Sequence, residues 1–317
     1  MRSLSSAPRG LSVSLLAAIV IALVTPNAQA DEPVGTWRHR KTDRPVKVIV
    51  LGGSIGAWPT GSFAHYVEAV CARVELRNIS KVAYGAPQLR QRFRAQVLRN
   101  PGARIREGEA HWLLSSGGLN SIGSPSITIK ETVETFLMAK KAGMKVLAFT
   151  LTPWGDDKDR RWKHFDGLDY KSKTQRSADF LLGRLGRAEA LESYAGKDGA
   201  TPWAPEELPD VAIDLYDSPL RNPEAPLRDV VKLGKLWDRD RKLQKRLPNR
   251  DAAVASAAEL PRWFLRPELR SFDHVHPNQA GHKLMAQIAC PKLPASWGCD
   301  CASIDRLSWV KGALVSQ

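Results

Sequence analysis

Val46-Lys47-Val48-Ile49-Val50-Leu51-Gly52-Gly53-Ser54-Ile55-Gly56 is a β-branched apolar run that breaks into a glycine-rich turn. Apolar residues at successive positions, rather than at alternate ones, suit a strand covered on both faces, as in a parallel sheet. A parallel sheet needs crossover connections, so the segments that follow should alternate between helix and strand.

They do. Phe63, Tyr66, Val67, Val70, Cys71 and Val74 recur at helical spacing, and Val74 to Ile79 reads as a second strand. A basic helix is expected over Gln88 to Arg99, a third strand over His111 to Ser115, and a helix over Ile127 to Lys141 stopped at Gly143. Lys145 to Thr152 is a fourth strand ended by Pro153, Lys171 to Tyr194 is helical, Val211 to Tyr216 is a fifth strand, and 278–289 is the last helix. Strands separated by helices give an α/β fold, three layers deep, around a parallel sheet of about five strands. No internal repeat or low-complexity tract interrupts it.

Two stretches do not follow this rhythm. Trp154 to Tyr170 is polar and charged where the fourth strand ends, and 218–271 is rich in proline, arginine and lysine, with two short helices expected near Val230 and Leu243. In open parallel sheets ligands bind beyond the carboxyl ends of the strands. Both stretches are therefore read as cover over such a site, although surface insertions without a role have the same composition.

The chemistry-bearing residues stand at those strand ends. Ser54 sits in a tight turn whose small neighbours let a substrate approach the backbone. A cofactor-phosphate turn is the alternative, but the three spaced glycines of a dinucleotide site are missing. The spelling Gly-x-Ser-x-Gly also matches the α/β-hydrolase elbow, which requires several strands before the serine; here the serine follows the first strand.

Far along the chain lies Asp273-His274-Val275-His276-Pro277-Asn278-Gln279-Ala280-Gly281-His282. A serine nucleophile needs an imidazole to take its proton and a carboxylate to fix the imidazole tautomer. Asp273, three residues before His276, can reach its Nδ1 within one turn. Pro277 suits the first turn of the last helix. A metal site built from Asp273, His274 and His276 is the rival, and plain helix capping is the uneventful reading. Between these ends, the second strand leads to Gly85 and the third to Gly118-Leu119-Asn120. Acyl transfer builds charge on an oxygen, which preorganised N–H groups stabilise. The amides of Ser54 and Gly85 and the side chain of Asn120 are the candidate donors, although turn chemistry alone also places glycine and asparagine after strands.

Taken together these blocks resemble the SGNH (GDSL-like) hydrolase family. The resemblance covers Val46 to Ala289, with 218–271 unmatched. It implies Ser54 as nucleophile, in a turn written Gly-Gly-Ser where the family usually writes Gly-Asp-Ser. Gly85 corresponds to its second-block glycine, Gly118-Leu119-Asn120 to Gly-x-Asn, and Asp273 to His276 to Asp-x-x-His. A three-layer α/β/α fold and ester hydrolysis with no metal or organic cofactor are what the family implies. Its substrates range over acylated sugars, lipids and simple esters.

The N-terminus sets the expected compartment. Arg2 and Arg9, an apolar run from Leu11 to Val24 and Ala28-Gln29-Ala30 have the layout of a cleaved signal peptide over 1–30. The run is shorter than the roughly 20 residues of a membrane span. An exported chain beginning at Asp31 is expected, periplasmic or secreted, with one domain over 31–317 and a tail from 290. The full sequence carries a formal net charge of +14. Such a balance favours anionic neighbours, but Lys and Arg are dispersed and no nucleic-acid motif is present. Four cysteines, Cys71, Cys290, Cys299 and Cys301, permit two disulfides. The expected bridge ties Cys290 to Cys299 or Cys301, with Cys71 as a buried thiol on a helix face. Trp58 and Trp154, after the first and fourth strands, are candidates for stacking on a sugar ring, against buried packing as the ordinary fate of a tryptophan. An acylated envelope glycan, a lysophospholipid and a non-catalytic binding role on the same fold are the open alternatives.

Overall fold

The computed structural model describes residues 43–100, 108–192 and 201–316. The signal-like segment lies outside them. Five parallel strands form the central sheet: β1 (Val46–Gly52), β2 (Val74–Asn78), β3 (Ala110–Ser116), β4 (Lys145–Phe149) and β5 (Val211–Ile213), in the order β2-β1-β3-β4-β5. β1 pairs β2 through Val46–Val74 and β3 through Val46–Ala110, and the order reverses at β1. The strand predicted for Val211 to Tyr216 ends at Ile213, where Asp214 Oδ1 accepts from the N–H groups of Tyr216 and Asp217 and turns the chain.

Each strand serves two cores. Val46, Val48 and Val50 pack with Leu114, Leu147 and Phe149 against α1 (Phe63–Val70) and the last helix, while Ile49, Leu51, Leu113 and Val146 face the opposite layer. This explains the near-continuous apolar run. Lys47 is the exception; it is buried and ion-paired with Glu75 on β2.

The opposite layer consists of α2 (Ala86–Phe93), α3 (Pro125–Lys141), α4 (Asp166–Leu181) and α5 (Arg187–Leu191). The single helix expected over Lys171 to Tyr194 is thus two, separated around Gly183, which takes a left-handed φ of +68°. Three helices, rather than two, occupy the 218–271 stretch: α6 (Val230–Arg239), α7 (Arg241–Arg246) and α8 (Arg250–Ala258). Asp229, Asp240 and Asn249 cap them by accepting backbone N–H bonds. These helices pack with Trp154, Trp162 and Phe165 into a third apolar cluster.

α9 (Gln279–Ala289) closes the first layer. Its cap is Asn278, so Pro277 lies one residue before the cap rather than in the first turn; there it pairs with Arg270 in an isolated bridge. The tail adds an antiparallel hairpin, β6 (Leu307–Val310) and β7 (Ala313–Ser316), that no sequence signal announced. Cys290 bonds Cys301, as one of the two expected pairings had it, and Cys71 bonds Cys299. Cys71 is therefore not a buried thiol. The end of α1 meets the tail in a bridge between residues 71 and 299, which puts the two sulfurs together. Among the described residues no helix is long and apolar enough to cross a membrane.

Candidate active site

The topological reversal at β1 places the Gly52–Gly56 turn at the carboxyl edge of the sheet, between the ends of β2 and β3. The chain leaving β2 fastens both ends of that turn. Lys81 N–H donates to Gly52 O at 2.9 Å, and Asn78 Nδ2 donates to Gly56 O at 2.7 Å. Ala57 N–H returns to Gly53 O at 3.0 Å, so the chain bends immediately after Ser54.

Ser54 Oγ lies 2.5 Å from His276 Nε2. The other ring nitrogen, Nδ1, donates to Asp273 Oδ2. Asp273 Oδ1 is occupied by three donors: Ser271 Oγ at 2.7 Å and the backbone N–H groups of Val275 and His276, each at 3.0 Å. Burial alone would raise this carboxyl, but those hydrogen bonds outweigh it and hold Asp273 well below the ordinary carboxylate range. The carboxylate is fixed as an anion before it orients the ring. The Asp273–His276 loop is held in turn by Asn278, whose Nδ2 donates to Glu268 O and Arg270 O, and by Ser271 N–H on His276 O at 2.8 Å.

Both nitrogens of His276 are thus committed to the serine and the carboxylate. His274 points elsewhere: its Nδ1 is 2.9 Å from Asp156 Oδ2, and its backbone takes a left-handed φ of +62°. The rival set of Asp273, His274 and His276 does not converge on one point. Among the described residues, no three His, Cys, Asp or Glu side chains form a metal-ligating group.

Asn120 Nδ2 donates one hydrogen to Tyr84 O at 3.2 Å, which leaves its second N–H beside the serine turn. A Cβ at Gly53 would lie 3.3 Å from both that Nδ2 and Tyr84 O, so glycine keeps the Asn120 amide close to the nucleophile turn. Gly85 departs from expectation. Its N–H donates to Gln88 Oε1 at 3.2 Å, an interaction that caps α2, and is not a free donor. Its lack of a side chain serves packing instead, since a Cβ there would lie 2.9 Å from Ser121 Cβ. Ser121 Oγ in turn accepts from Ala86 N–H at 3.0 Å and ties the Asn120 loop to the start of α2.

The two tryptophans differ: Trp154 is not open to a sugar ring. Trp154 is fully buried, donates through Nε1 to Thr174 Oγ1 at 3.1 Å and packs edge-on to Trp162. Trp58 is half-buried and lies against the rings of His276 and His282, at centroid distances of 5.7 and 5.6 Å. His282 is completely buried, and burial pushes its imidazole down to about 3.

A cavity of about 280 Å³ opens over Ser54, Asn120 and His276 and is walled by Leu119, Ile122, Val275, Tyr170 and Arg161. Tyr170 and Arg161 come from the 154–170 stretch, in keeping with its reading as cover. The 218–271 stretch supplies no lining residue here; it backs the 154–170 segment from behind. Arg161 and Tyr170 carried no spacing signal of their own, since tertiary packing alone brings them to the cavity.

This arrangement can remove a proton from a hydroxyl, hold the resulting imidazolium against a fixed anion, and offer an amide donor to a nearby oxygen. No protein-family model matches the sequence, and no curated protein matches it. Among solved structures, the chain is similar to a GDSL-like lipase from Bacteroides thetaiotaomicron at 14% identity, covering 78% of this chain and 87% of that one, with a TM-score of 0.44. It is similar to a member of the lipolytic protein G-D-S-L family from Veillonella parvula at 14% identity, covering 78% and 97%, with a TM-score of 0.44. An acetylxylan esterase from Geobacillus stearothermophilus, a catalytic mutant, is similar at 11% identity over 80% and 95%, with a TM-score of 0.41.

Proposed function

We propose that the protein is an exported serine esterase that hydrolyses acyl esters through a covalent acyl-enzyme. One observation carries the reading: the unbroken line from Ser54 Oγ through His276 to an Asp273 carboxylate already held as an anion. A binding protein needs no such relay.

Ser54 Oγ attacks the ester carbonyl carbon, and its proton passes to His276 Nε2. The carbonyl π bond opens, and the resulting oxyanion takes hydrogen bonds from Asn120 Nδ2 and from the Ser54 N–H. Collapse breaks the bond to the alcohol oxygen, which leaves with the proton from His276. Water then attacks the acyl carbon, giving its proton to His276, and the carboxylic acid departs as Ser54 recovers its hydrogen. Removing one oxyanion donor typically costs about 10²–10³ in kcat. With Gly85 N–H engaged by Gln88, the Asn120 amide and the Ser54 N–H bear that load in this conformation.

Export is supported by the signal-like N-terminus together with two disulfides, which persist in oxidising compartments. The cavity size suits a short acyl group and part of its alcohol. Acylated extracellular glycans are the substrate class we put first, since a positive balance of charge suits an anionic envelope. A serine-reactive fluorophosphonate tests the mechanism: labelling at Ser54, prevented in Ser54→Ala, supports it, and an unlabelled native protein refutes it.

A further inference from the structure

Among the described residues, Arg161 is the one permanently cationic side chain lining the cavity over Ser54, beside the titratable His276 and Tyr170. Three restraints fix it there. Its Nε and Nη2 donate to the Asp159 carboxylate at 2.7–3.2 Å, and its backbone N–H donates to Asp159 Oδ1 at 2.9 Å. The guanidinium lies 4.6 Å from the centroid of the buried Trp154 ring. Burial would raise Asp159, but its bonds to Arg161 hold the carboxyl low, so the pair stays charged. The whole segment is also strapped to the base-bearing loop, through Gly155 N–H on His274 O at 3.0 Å.

A guanidinium anchored in this way has one nitrogen left over. Nη1 makes no hydrogen bond among the described residues, and the side chain is 42% exposed, lining the cavity that Ser54 also lines. Arg presents its N–H groups in a rigid fork suited to carboxylate and phosphate oxygens. The surroundings favour the same ligand. Two further cavities, each bordered by residues of the 154–170 stretch, hold Lys163, Arg228 and Lys232 against Asp157 and Asp229, and Arg239, Arg241, Lys242 and Arg246 against Asp166 and Asp240. Cations outnumber carboxylates in both, and a positive balance attracts anions.

We propose that Arg161 selects esters that carry an oxyanion, a carboxylate or a phosphate, within a few bonds of the scissile carbonyl. The proposal rests on the esterase reading above and narrows its substrate class. Arg161 is then a specificity residue, holding the anion while Ser54 and His276 act on the ester.

Matched ester pairs test it. 4-Nitrophenyl butyrate against the 4-nitrophenyl monoester of succinate places the charge on the acyl side. Methyl 4-acetoxybenzoate against 4-acetoxybenzoate, and 4-acetoxyphenyl phosphate, place a carboxylate or a phosphate on the alcohol side. At low salt at least one anionic member should exceed its neutral partner in kcat/KM by about tenfold, through KM, as expected for a charge-assisted hydrogen bond. The preference should shrink as salt is added. Arg161→Gln should abolish it and Arg161→Lys should restore part of it. A purely structural role for Arg161 would change turnover of both members alike and leave no salt dependence. Should Arg161→Gln fail to fold, the wild-type ratio and its salt dependence decide. Equal rates within every pair overturn the proposal while Ser54 labelling leaves the esterase reading standing; absence of labelling removes both.

Discussion

The indole of Trp58 lies against the imidazole of His276, with ring centroids 5.7 Å apart and planes inclined by 28°. Asp273 fixes one edge of that imidazole and Ser54 the other, so Trp58 supplies the remaining restraint, on a face. Behind it, His282 and Phe63 continue the stack into the core, and His282 Nδ1 accepts from Phe63 N–H at 3.4 Å. The ring held between Ser54 and Asp273 is therefore braced by the same layer that packs α1 against α9.

Trp58→Ala should slow turnover about three- to tenfold, the range set by the energy of a single aromatic pair. The loss should fall on kcat and not on KM, because Trp58 touches the base and does not line the cavity. Trp58→Phe should recover most of it. Steady-state kinetics on a short neutral ester read both parameters, and an effect confined to KM would contradict the bracing role.

Ser54→Ala and His276→Ala should each lower kcat by about 10³-fold or more, and the double variant should be scarcely slower than either, because the residues act as a unit. His274→Gly should retain activity within a few-fold, since glycine accepts the left-handed φ of +62° and the lost contact is to Asp156, not to the serine. A dead His274→Gly that still melts like the parent would reassign the base.

Acid should destabilise the fold in two stages. His282 binds its proton at about 3 when folded and near 6.5 when unfolded, so the unfolded chain holds the extra proton between those values. Stability is then fully present above about pH 6.5 and declines as pH falls toward 3. Asp273 is also lowered by its fold, so its contribution is present above about pH 4 and is lost on further acidification. Melting temperatures across pH should show His282→Phe flattening the upper stage and Asp273→Asn flattening the lower. An unchanged slope between pH 6 and 4 in His282→Phe would argue against the first assignment.

Intact mass before and after reduction, with thiol alkylation, should find no free cysteine in exported protein and four after reduction. Cys299→Ser should lower stability by about 2–5 kcal/mol, as removal of a native disulfide typically does. Alkylation of Cys71 without reduction would show that the bridge to the tail had not formed.

The sheet was legible because burial on both faces writes itself into Val46–Leu51 and its counterparts as continuous apolar runs. The relay was legible for a different reason: Asp273 and His276 lie within one turn, so their spacing is a local geometric fact. What could not be read depended on distant partners. Gly85 satisfies a turn, but only the position of Gln88 shows its N–H to be spent, and only the Trp162 and Thr174 contacts show that Trp154 is interior. Cys71 followed a helical apolar face and so resembled a core residue; its partner is 228 residues away. The β6–β7 hairpin is short and largely exposed, and so lacks the burial pattern that marks the other strands.

Ser54 and His276 are separated by 222 residues, although their side chains touch. The serine emerges early in synthesis with the first strand of the sheet, and the imidazole that pairs with it arrives only with the last helix. A chain interrupted between residues 213 and 276 carries the hydroxyl, the Asn120 loop and all five strands of the sheet, yet lacks His276. Chemical competence is therefore acquired in a single late event.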